Sequence, residues 1–295
     1  MKAEIPEGIT LIRNGLFDNG NYGATYLIGH DRLALVDPGT SYSVPALLEW
    51  FDEHPRSLSN LKYILLTHIH LDHAGAAGHL VEKLPGLKIY LHRKGAPHLH
   101  DPSKLLASVR EATGDRFSEY GEVKPIPEEN LEPVDGEKTF SLGSKEIVAV
   151  PTPGHAPHHL AYYDKETGAL FPGDSAGLYL GGRLIPSTPP PTFNLEKSLD
   201  SLTRMKESDP SILLYPHFGP GENPTELIDN YKRILQDWVE LVDDLRSQYG
   251  DKEKMVTEIV EAKRDWIRNG FSVGELKMNI RGVLKYFSWR EDDQK

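Results

Sequence analysis

Cysteine is absent from the 295-residue sequence, which excludes both disulfide bonds and thiolate ligands for a metal ion. A metal site would therefore have to use imidazole and carboxylate groups, and the 13 histidines and 44 acidic residues supply both. No apolar run approaches the roughly 20 residues that a membrane-spanning helix needs, and the first residues show no apolar signal segment. We therefore expect a cytoplasmic protein that makes no contact with a membrane.

Positive charge is also scarce, because 33 lysines and arginines stand against 44 acidic residues and the net charge is −11. Proteins bind nucleic acids and anionic membranes through clustered cations that neutralise phosphate groups, and this sequence has no run of positive residues. The expected partner is a small-molecule substrate rather than a nucleic acid.

Strands and helices alternate along the first 90 residues, which is typical of the α/β class. Residues 33–36 and 63–66 are short apolar runs that predict buried strands, and residues 45–51 and 74–84 predict helices. Residues 93–133 break this alternation with several spaced prolines. We interpret them as an insertion that could form a lid over one end of the core.

From Asn223 onward the pattern is helical, with apolar residues such as Tyr231 and Trp238 recurring on one face. We therefore divide the chain into a catalytic domain, residues 1–222, and a helical C-terminal extension, residues 223–295. The apolar face predicts a packing surface. It either caps the substrate pocket or forms a homodimer with a second subunit, and the sequence leaves both open.

A dense polar cluster follows the apolar run at residues 63–66, where His68, His70, Asp72 and His73 lie within six residues. In an extended segment, residues i and i+2 point to the same side, so His68 and His70 can share one metal ion. The chain then enters a helix, where Asp72 and His73 can face a second position. Burying four such groups is costly unless a cation neutralises them, which favours a metal site over a structural cluster.

Three later segments each present one more ligand-type residue just after a predicted strand. These residues are His155, Asp174 and His217, and each stands in a turn that contains proline or glycine. Because the ends of neighbouring strands meet at one edge of a sheet, we expect these residues to join the first cluster.

Together the patterns H-x-H-x-D-H, T-P-G-H, G-D and P-H resemble the metallo-β-lactamase superfamily. The segment that ends at Asp37-Pro38-Gly39 resembles the aspartate that follows an early strand in that family. The resemblance extends over roughly residues 9–220. It implies an α/β fold, a four-layer αββα sandwich, to which the helical C-terminal extension is added.

The resemblance also implies two divalent metal ions, with zinc expected and iron or manganese as alternatives. It assigns His68, His70 and His155 to the first ion, Asp72, His73 and His217 to the second, and Asp174 to both. Asp72 and Asp174 would be catalytic, because a water molecule activated between the ions would attack the substrate.

Other histidines receive supporting roles or none. Asp37 would orient a metal ligand, His159 would either support the ligands or serve in packing, and the role of His158 stays open. We expect the remaining candidates to be solvated or structural: His79, His92, His98 and His100.

The resemblance to the dinuclear branch, which includes glyoxalase II and lactonases, implies hydrolysis of a lactone, thioester or carboxylic ester. It is incomplete, because Phe218-Gly219-Pro220-Gly221 replaces the acidic and aromatic segment that follows the last ligand in glyoxalase II. The loops at 19–22, 93–133 and 178–193 would wall the pocket. Candidate substrate contacts in or beside these loops are Tyr22, Tyr179, Phe193 and Phe218, whose apolar rim would favour a neutral or amphipathic ester.

Three alternatives remain at this stage. The same site could hydrolyse a phosphodiester or phosphotriester. It could hold a single iron ion and act as a sulfur dioxygenase, since the ligand types overlap. It could also be a non-catalytic metal-binding module, although structural sites usually close with four ligands.

Overall fold

The computed structural model describes residues 4–18, 22–54, 58–143, 145–268 and 271–292. Two six-stranded sheets form its centre, together with one separate hairpin. The first sheet contains, in both chain and spatial order, β1 (Ile9–Arg13), β2 (Ala24–Ile28), β3 (Leu33–Val36), β4 (Leu61–Leu65), β5 (Lys88–His92) and β6 (Leu131–Val134). The next strands along the chain are β7 (Lys138–Leu142), β8 (Lys145–Pro151), β9 (Leu160–Asp164), β10 (Ala169–Phe171), β11 (Leu178–Leu180), β12 (Arg183–Ile185), β13 (Ile212–Tyr215) and β14 (Gly219–Gly221). The second sheet has the spatial order β14-β13-β10-β9-β8-β7, and β11 pairs with β12 in the hairpin.

Helices cover the outer faces of the two sheets. They are α1 (Val44–Glu53), α2 (Leu71–Ala74), α3 (Ala77–Lys83), α4 (Ala96–His100), α5 (Ser103–Thr113), α6 (Leu195–Glu207), α7 (Pro224–Gln248), α8 (Lys252–Ala262), α9 (Arg264–Arg268) and α10 (Val273–Asp292). The predicted helix at residues 74–84 is divided into α2 and α3. The division occurs because the N–H of Ala76 donates to the carbonyl oxygen of Gly39, 2.8 Å away, instead of continuing the helix.

Successive side chains of a strand point to opposite faces of the sheet, so they pack into different apolar cores. In β3, Leu33 and Leu35 pack against α1 and α3, whereas Ala34 and Val36 pack between the two sheets. In β13, Leu214 lies between the sheets, and its neighbours face the helices on the far side. Three apolar cores therefore separate four layers, and the predicted αββα sandwich is confirmed.

Part of the segment that we interpreted as an insertion, residues 93–133, belongs to the first sheet. Residues 131–134 form β6, which pairs parallel with β5 and places Pro133 opposite Leu91. Proline lacks an N–H group, so it is tolerated in a strand at the edge of a sheet, and β6 is such a strand. The last residues of the proposed insertion are therefore part of the first sheet, and its role as a lid stays a prediction.

The C-terminal helices pack on the second sheet of the same chain. Tyr231 and Trp238 of α7 and Val283 of α10 are buried against Leu213 and Tyr215 of β13. The apolar face predicted from the sequence is thus covered within the chain, and a homodimer through these helices stays a prediction. Within the described ranges, none of the helices has the length and apolar character needed to cross a membrane.

Candidate metal centre

The seven predicted ligands lie together at the ends of strands from both sheets. His68 and His70 follow β4, with His70 in extended backbone, and Asp72 and His73 lie in the short helix α2. The other three residues follow strands of the second sheet, as the sequence predicts: His155 after β8, Asp174 after β10 and His217 after β13.

Three imidazole nitrogens converge at the first position. Nε2 of His68 lies 2.9 Å from Nδ1 of His70, and Nε2 of His155 lies 3.0 Å from the same atom. Ligands of one tetrahedral zinc ion, each about 2.0–2.1 Å from the metal, are separated by roughly 3.3 Å. The three nitrogens are therefore placed to bind a single ion.

A second set of donors lies beside the first. Oδ2 of Asp72 is 3.6 Å from Nε2 of His73 and 3.7 Å from Nε2 of His217. Oδ1 of Asp174 is 3.4 Å and 3.5 Å from the same two nitrogens. The other carboxylate oxygen of Asp174, Oδ2, is 3.8 Å from Nε2 of His155. The carboxylate of Asp174 therefore faces both sets of donors.

Two buried atoms of this cluster show that a cation fits it. Nε2 of His73 and Oδ1 of Asp174 are buried and have no hydrogen-bond partner within the described residues. Leaving such atoms unsatisfied costs about 1–3 kcal/mol each. A divalent ion would accept the lone pairs of both, so the donor set and its burial fit a metal ion.

The protonation states also suit metal binding. Burial lowers the pKa of His68, of His70 and of His155, which favours the neutral imidazole that binds metals. Burial would raise the pKa of Asp174, but the neighbouring His73 and His217 outweigh it and hold that pKa well below its usual range. Asp174 is thus an ionised carboxylate.

Asp37 orients two of the candidate ligands, His68 and His73, from the side away from the cavity, either directly or through Thr67. It accepts hydrogen bonds from the N–H of Thr67 at 2.8 Å, the hydroxyl of Thr67 at 2.7 Å and Nδ1 of His73 at 3.0 Å. The last bond places one proton on Nδ1 of His73, so Nε2 is the nitrogen that faces the site and would bind a metal ion after releasing its own proton. Thr67 Oγ1 also lies 3.0 Å from Nδ1 of His68, which leaves Nε2 of His68 free to bind.

The remaining histidines differ in their surroundings. His159 is buried, and its Nε2 accepts the N–H of Asp174 at 3.2 Å, so it supports the ligand backbone. His79 and His100 contact the carbonyl oxygens of Glu122 and Ile126, whereas His92 approaches the N–H of Lys94. His98 and His158 line the cavity described below. Burial lowers the pKa of His158 to about 3, so this ring is neutral.

The metal-free protein is expected to lose stability as the pH falls below 6.5, the ordinary histidine pKa. The folded chain keeps His68, His70, His155 and His159 neutral, whereas the unfolded chain protonates them. The unfolded state therefore binds more protons, and the free energy of unfolding decreases by about 1.4 kcal/mol per pH unit for each such histidine.

One group acts in the opposite direction. Burial would lower the pKa of His73, but the charges of Asp72 and Asp174 outweigh it and raise that pKa. His73 therefore stabilises the folded chain increasingly as the pH falls through the raised pKa toward 6.5, and its contribution stays constant at lower pH. Denaturant unfolding of the metal-free protein at pH 8, 7, 6 and 5 measures the net effect of these histidines on the free energy of unfolding. A free energy of unfolding that stays constant or rises from pH 7 to 5 contradicts the expected loss.

A cavity of about 290 Å³ opens above the donor cluster. His70, Asp72, His155, Asp174 and His217 lie at its floor. Its walls are mainly apolar and come from three parts of the chain: Leu105, Val109 and Ala112 of α5; Pro189, Pro190 and Pro191; and Phe271 and Met278 at the C-terminal end.

Tyr22 is the one proposed substrate contact that lies in this cavity. Its ring centre is 5.0 Å from that of His217, and its hydroxyl donates to Glu275 at 2.7 Å. Residues 19–21, expected to continue this wall, lie outside the described residues.

Tyr179, Phe193 and Phe218 are not among the described residues that line the cavity, which corrects their predicted placement. Tyr179 stacks on Tyr215 with ring centres 5.2 Å apart, and Phe193 is buried against Tyr286. Phe218 packs on Tyr22, outside the cavity lining. Loop position alone did not predict where these rings point, because apolar packing partners distant in sequence determine it.

Helix α10 contributes to the cavity, which is one of the two roles that the sequence left open for the C-terminal helices. Glu275, Met278 and Asn279 line it. These three residues were not identified from the sequence, although Glu275 and Asn279 interrupt an otherwise apolar face that includes Leu276 and Ile280.

Comparison with known proteins shows which family the chain belongs to. The family model described as the metallo-beta-lactamase superfamily matches residues 18–217. A metallo-beta-lactamase fold-containing protein of Sulfurisphaera tokodaii is 31% identical over 217 residues, which cover 71% of this chain and 77% of the relative. A hydroxyacylglutathione hydrolase of Pseudomonas savastanoi is 30% identical over 64% of this chain and 57% of its own length.

Solved structures show the same fold along nearly the whole chain. A metallo-beta-lactamase family protein of Thermus thermophilus superposes with a TM-score of 0.72 at 22% identity, covering 98% of this chain and 95% of that one. The fold, the cluster of histidines and aspartates, and the match to the family model all indicate the same family. The chain belongs to the metallo-β-lactamase superfamily and is a metal-dependent hydrolase.

Proposed function

We propose that this protein holds two divalent metal ions and hydrolyses a carboxylic ester-type bond, namely a lactone, thioester or ester with an apolar acyl part. The observation that carries the proposal is the position of Asp174, whose two oxygens face two separate donor sets below an apolar cavity. Zinc is the proposed metal, because imidazole and carboxylate ligands suit it, and iron or manganese are the alternatives.

Divalent ions, when bound, supply Lewis acidity that lowers the pKa of water toward neutrality and polarises the oxygen of the scissile bond. The chain contributes the remaining steps. Asp72 lines the cavity and its side chain is 20% exposed, so its carboxylate can accept a proton from incoming water. Asp174 is more deeply buried and holds the two donor sets in fixed relation to each other.

The charges around the cavity bear on the substrate class. Bound divalent ions would offset the charges of Asp72 and Asp174, so Glu275 and Lys104 are the other acidic and basic side chains among the described lining residues. These two have opposite sign, so the described lining offers no excess of positive charge to a polyanionic substrate. The net charge of the chain, −11, also opposes such a substrate. The supported substrate is thus an uncharged or weakly charged ester, rather than a glutathione thioester with its free carboxylates.

A substrate panel tests the proposal. Protein loaded with zinc, and in parallel with iron or manganese, is given lactones, acyl thioesters and aryl esters of increasing acyl length, a phosphodiester and a phosphotriester. We expect turnover of one acyl class. KM should fall about fourfold for each added methylene, since burying one contributes about 0.8 kcal/mol, until the cavity is filled.

The outcomes separate the alternatives. A preference for phosphorus esters assigns the site to phosphoester hydrolysis. Equal KM values for short and long acyl groups would contradict the proposed apolar acyl part, but they would be consistent with hydrolysis of an ester. Absence of turnover across the panel, with both metals bound, overturns the proposed hydrolysis and favours the oxygen-dependent or non-catalytic alternatives.

A further inference from the structure

The segment Pro186–Ser187–Thr188, which follows β12, contacts two of the metal-ligand side chains. The carbonyl oxygen of Ser187 accepts a hydrogen bond from Nδ1 of His155 at 3.1 Å. The hydroxyl of the same serine donates to Oδ2 of Asp174 at 3.1 Å. One residue thus orients both the imidazole and the carboxylate on the side of the first donor set.

Asn279 of α10 holds this segment from its other side. The side chain is only 3% exposed, its Oδ1 accepts the N–H of Thr188 at 2.6 Å, and its Nδ2 donates to the carbonyl oxygen of Pro186 at 3.0 Å. The main-chain oxygen of Asn279 also accepts the hydroxyl of Thr188 at 3.0 Å. A single asparagine therefore binds both neighbours of Ser187.

Helix α7 adds two further bonds to the same segment. Nε1 of Trp238 donates to Oγ1 of Thr188 at 3.1 Å, and the N–H of Ser187 donates to the hydroxyl of Tyr231 at 3.3 Å. The approach of α10 is close, because a Cβ atom at Gly282 would overlap the carbonyl oxygen of Thr188. The C-terminal helices therefore determine where the Ser187 carbonyl and hydroxyl lie.

We infer that Asn279 is a positioning residue for the metal centre, and that the C-terminal helices set the metal affinity of the first donor set through Ser187. The inference rests on the proposed metal binding. Partners that orient metal ligands typically change affinity by roughly 10- to 100-fold when they are removed. Asn279 lies beyond residues 18–217, the part of the chain that matches the family model, so this contribution comes from the C-terminal extension.

The test measures zinc binding by Asn279→Ala, using competition with a chelator at fixed pH. Asn130→Ala is the matched control. Asn130 is also buried, and its Nδ2 donates to the carbonyl oxygens of Pro85 and Leu87, both at 2.8 Å. It precedes β6 at the end of the first sheet opposite the ligands, because β4, β5 and β6 are parallel and His68 follows the end of β4.

We expect the Asn279 variant to raise the zinc Kd of one site roughly 10- to 100-fold, while the Asn130 variant stays within about twofold of the original protein. Both variants should lower the Tm of the metal-free protein. Only the Asn279 variant should reduce the rise in Tm that zinc produces, because that rise reports binding to the folded state.

If Asn279→Ala does not fold, Ser187→Ala serves in its place, since it removes only the hydroxyl bond to Asp174 and should raise the zinc Kd about tenfold. Unchanged zinc affinity at both sites in the variant that folds overturns the inference. That outcome differs from failure of the proposed function, in which the original protein itself would bind no zinc.

Discussion

Asp174→Asn is expected to reduce bound metal from two ions per chain to one or none, and turnover by on the order of a thousandfold. Asparagine has nearly the same shape, but its amide carries no charge and offers only one oxygen. In the structure Oδ1 lies 3.4 Å and 3.5 Å from the nitrogens of His73 and His217, and Oδ2 faces His155. The substitution therefore removes the link between the two donor sets. Metal analysis after dialysis and turnover with an ester substrate measure the two effects.

Asp164→Asn is the matched control for this variant. Asp164 is fully buried at the end of β9 and pairs with Lys145 at 3.0 Å, so the same change of charge occurs in another buried ion pair. It should cost folding stability, because Lys145 loses one partner, but it should leave the metal content unchanged. Two bound ions and undiminished turnover in Asp174→Asn contradict the assignment of this residue as the bridging ligand.

Asp37→Ala is expected to lower the free energy of unfolding of the metal-free protein by about 3 kcal/mol or more, and to weaken zinc binding. The carboxylate is buried and accepts three hydrogen bonds, two from Thr67 and one from His73. Its backbone also has a φ of 48°, a conformation that alanine adopts less readily than aspartate or asparagine. Denaturant unfolding without metal measures the first effect, and zinc titration the second.

The variant Asp37→Asn separates these two effects. Asparagine keeps the backbone conformation and one acceptor oxygen for Thr67, but its amide group cannot accept the proton of Nδ1 of His73. It should recover part of the stability while zinc affinity remains low. Full zinc affinity in both variants shows that Asp37 supports the fold alone and does not orient His73.

Much of the candidate metal centre could be predicted to come together, because its residues belong to local motifs. His68, His70, Asp72 and His73 occupy one strand-to-helix junction, and the backbone of that junction directs their side chains. Strand geometry also explains why the side chains of β3 alternate between two cores, with Leu33 and Leu35 in one and Ala34 and Val36 in the other. Such features depend on neighbours within a few residues.

The rest depends on contacts between distant segments. Asn279 reaches Thr188 across 91 positions of sequence, and Glu275 reaches Tyr22 across 253. No local pattern indicates such pairs, so the sequence predicts α10 as a helix but does not decide between capping the pocket and packing on a second subunit. Residues 131–134 were missed as a strand for a related reason, since only the edge position of β6 makes Pro133 acceptable.

The most direct test of the account is a zinc titration of the metal-free protein, with ester turnover recorded at each ratio of zinc to chain. Asp174 faces two donor sets, so we predict that turnover rises until two equivalents of zinc are bound and then stays constant. A chelator should abolish it, and zinc should restore it. Full turnover at one equivalent, or none with two equivalents bound, contradicts a two-metal ester hydrolase.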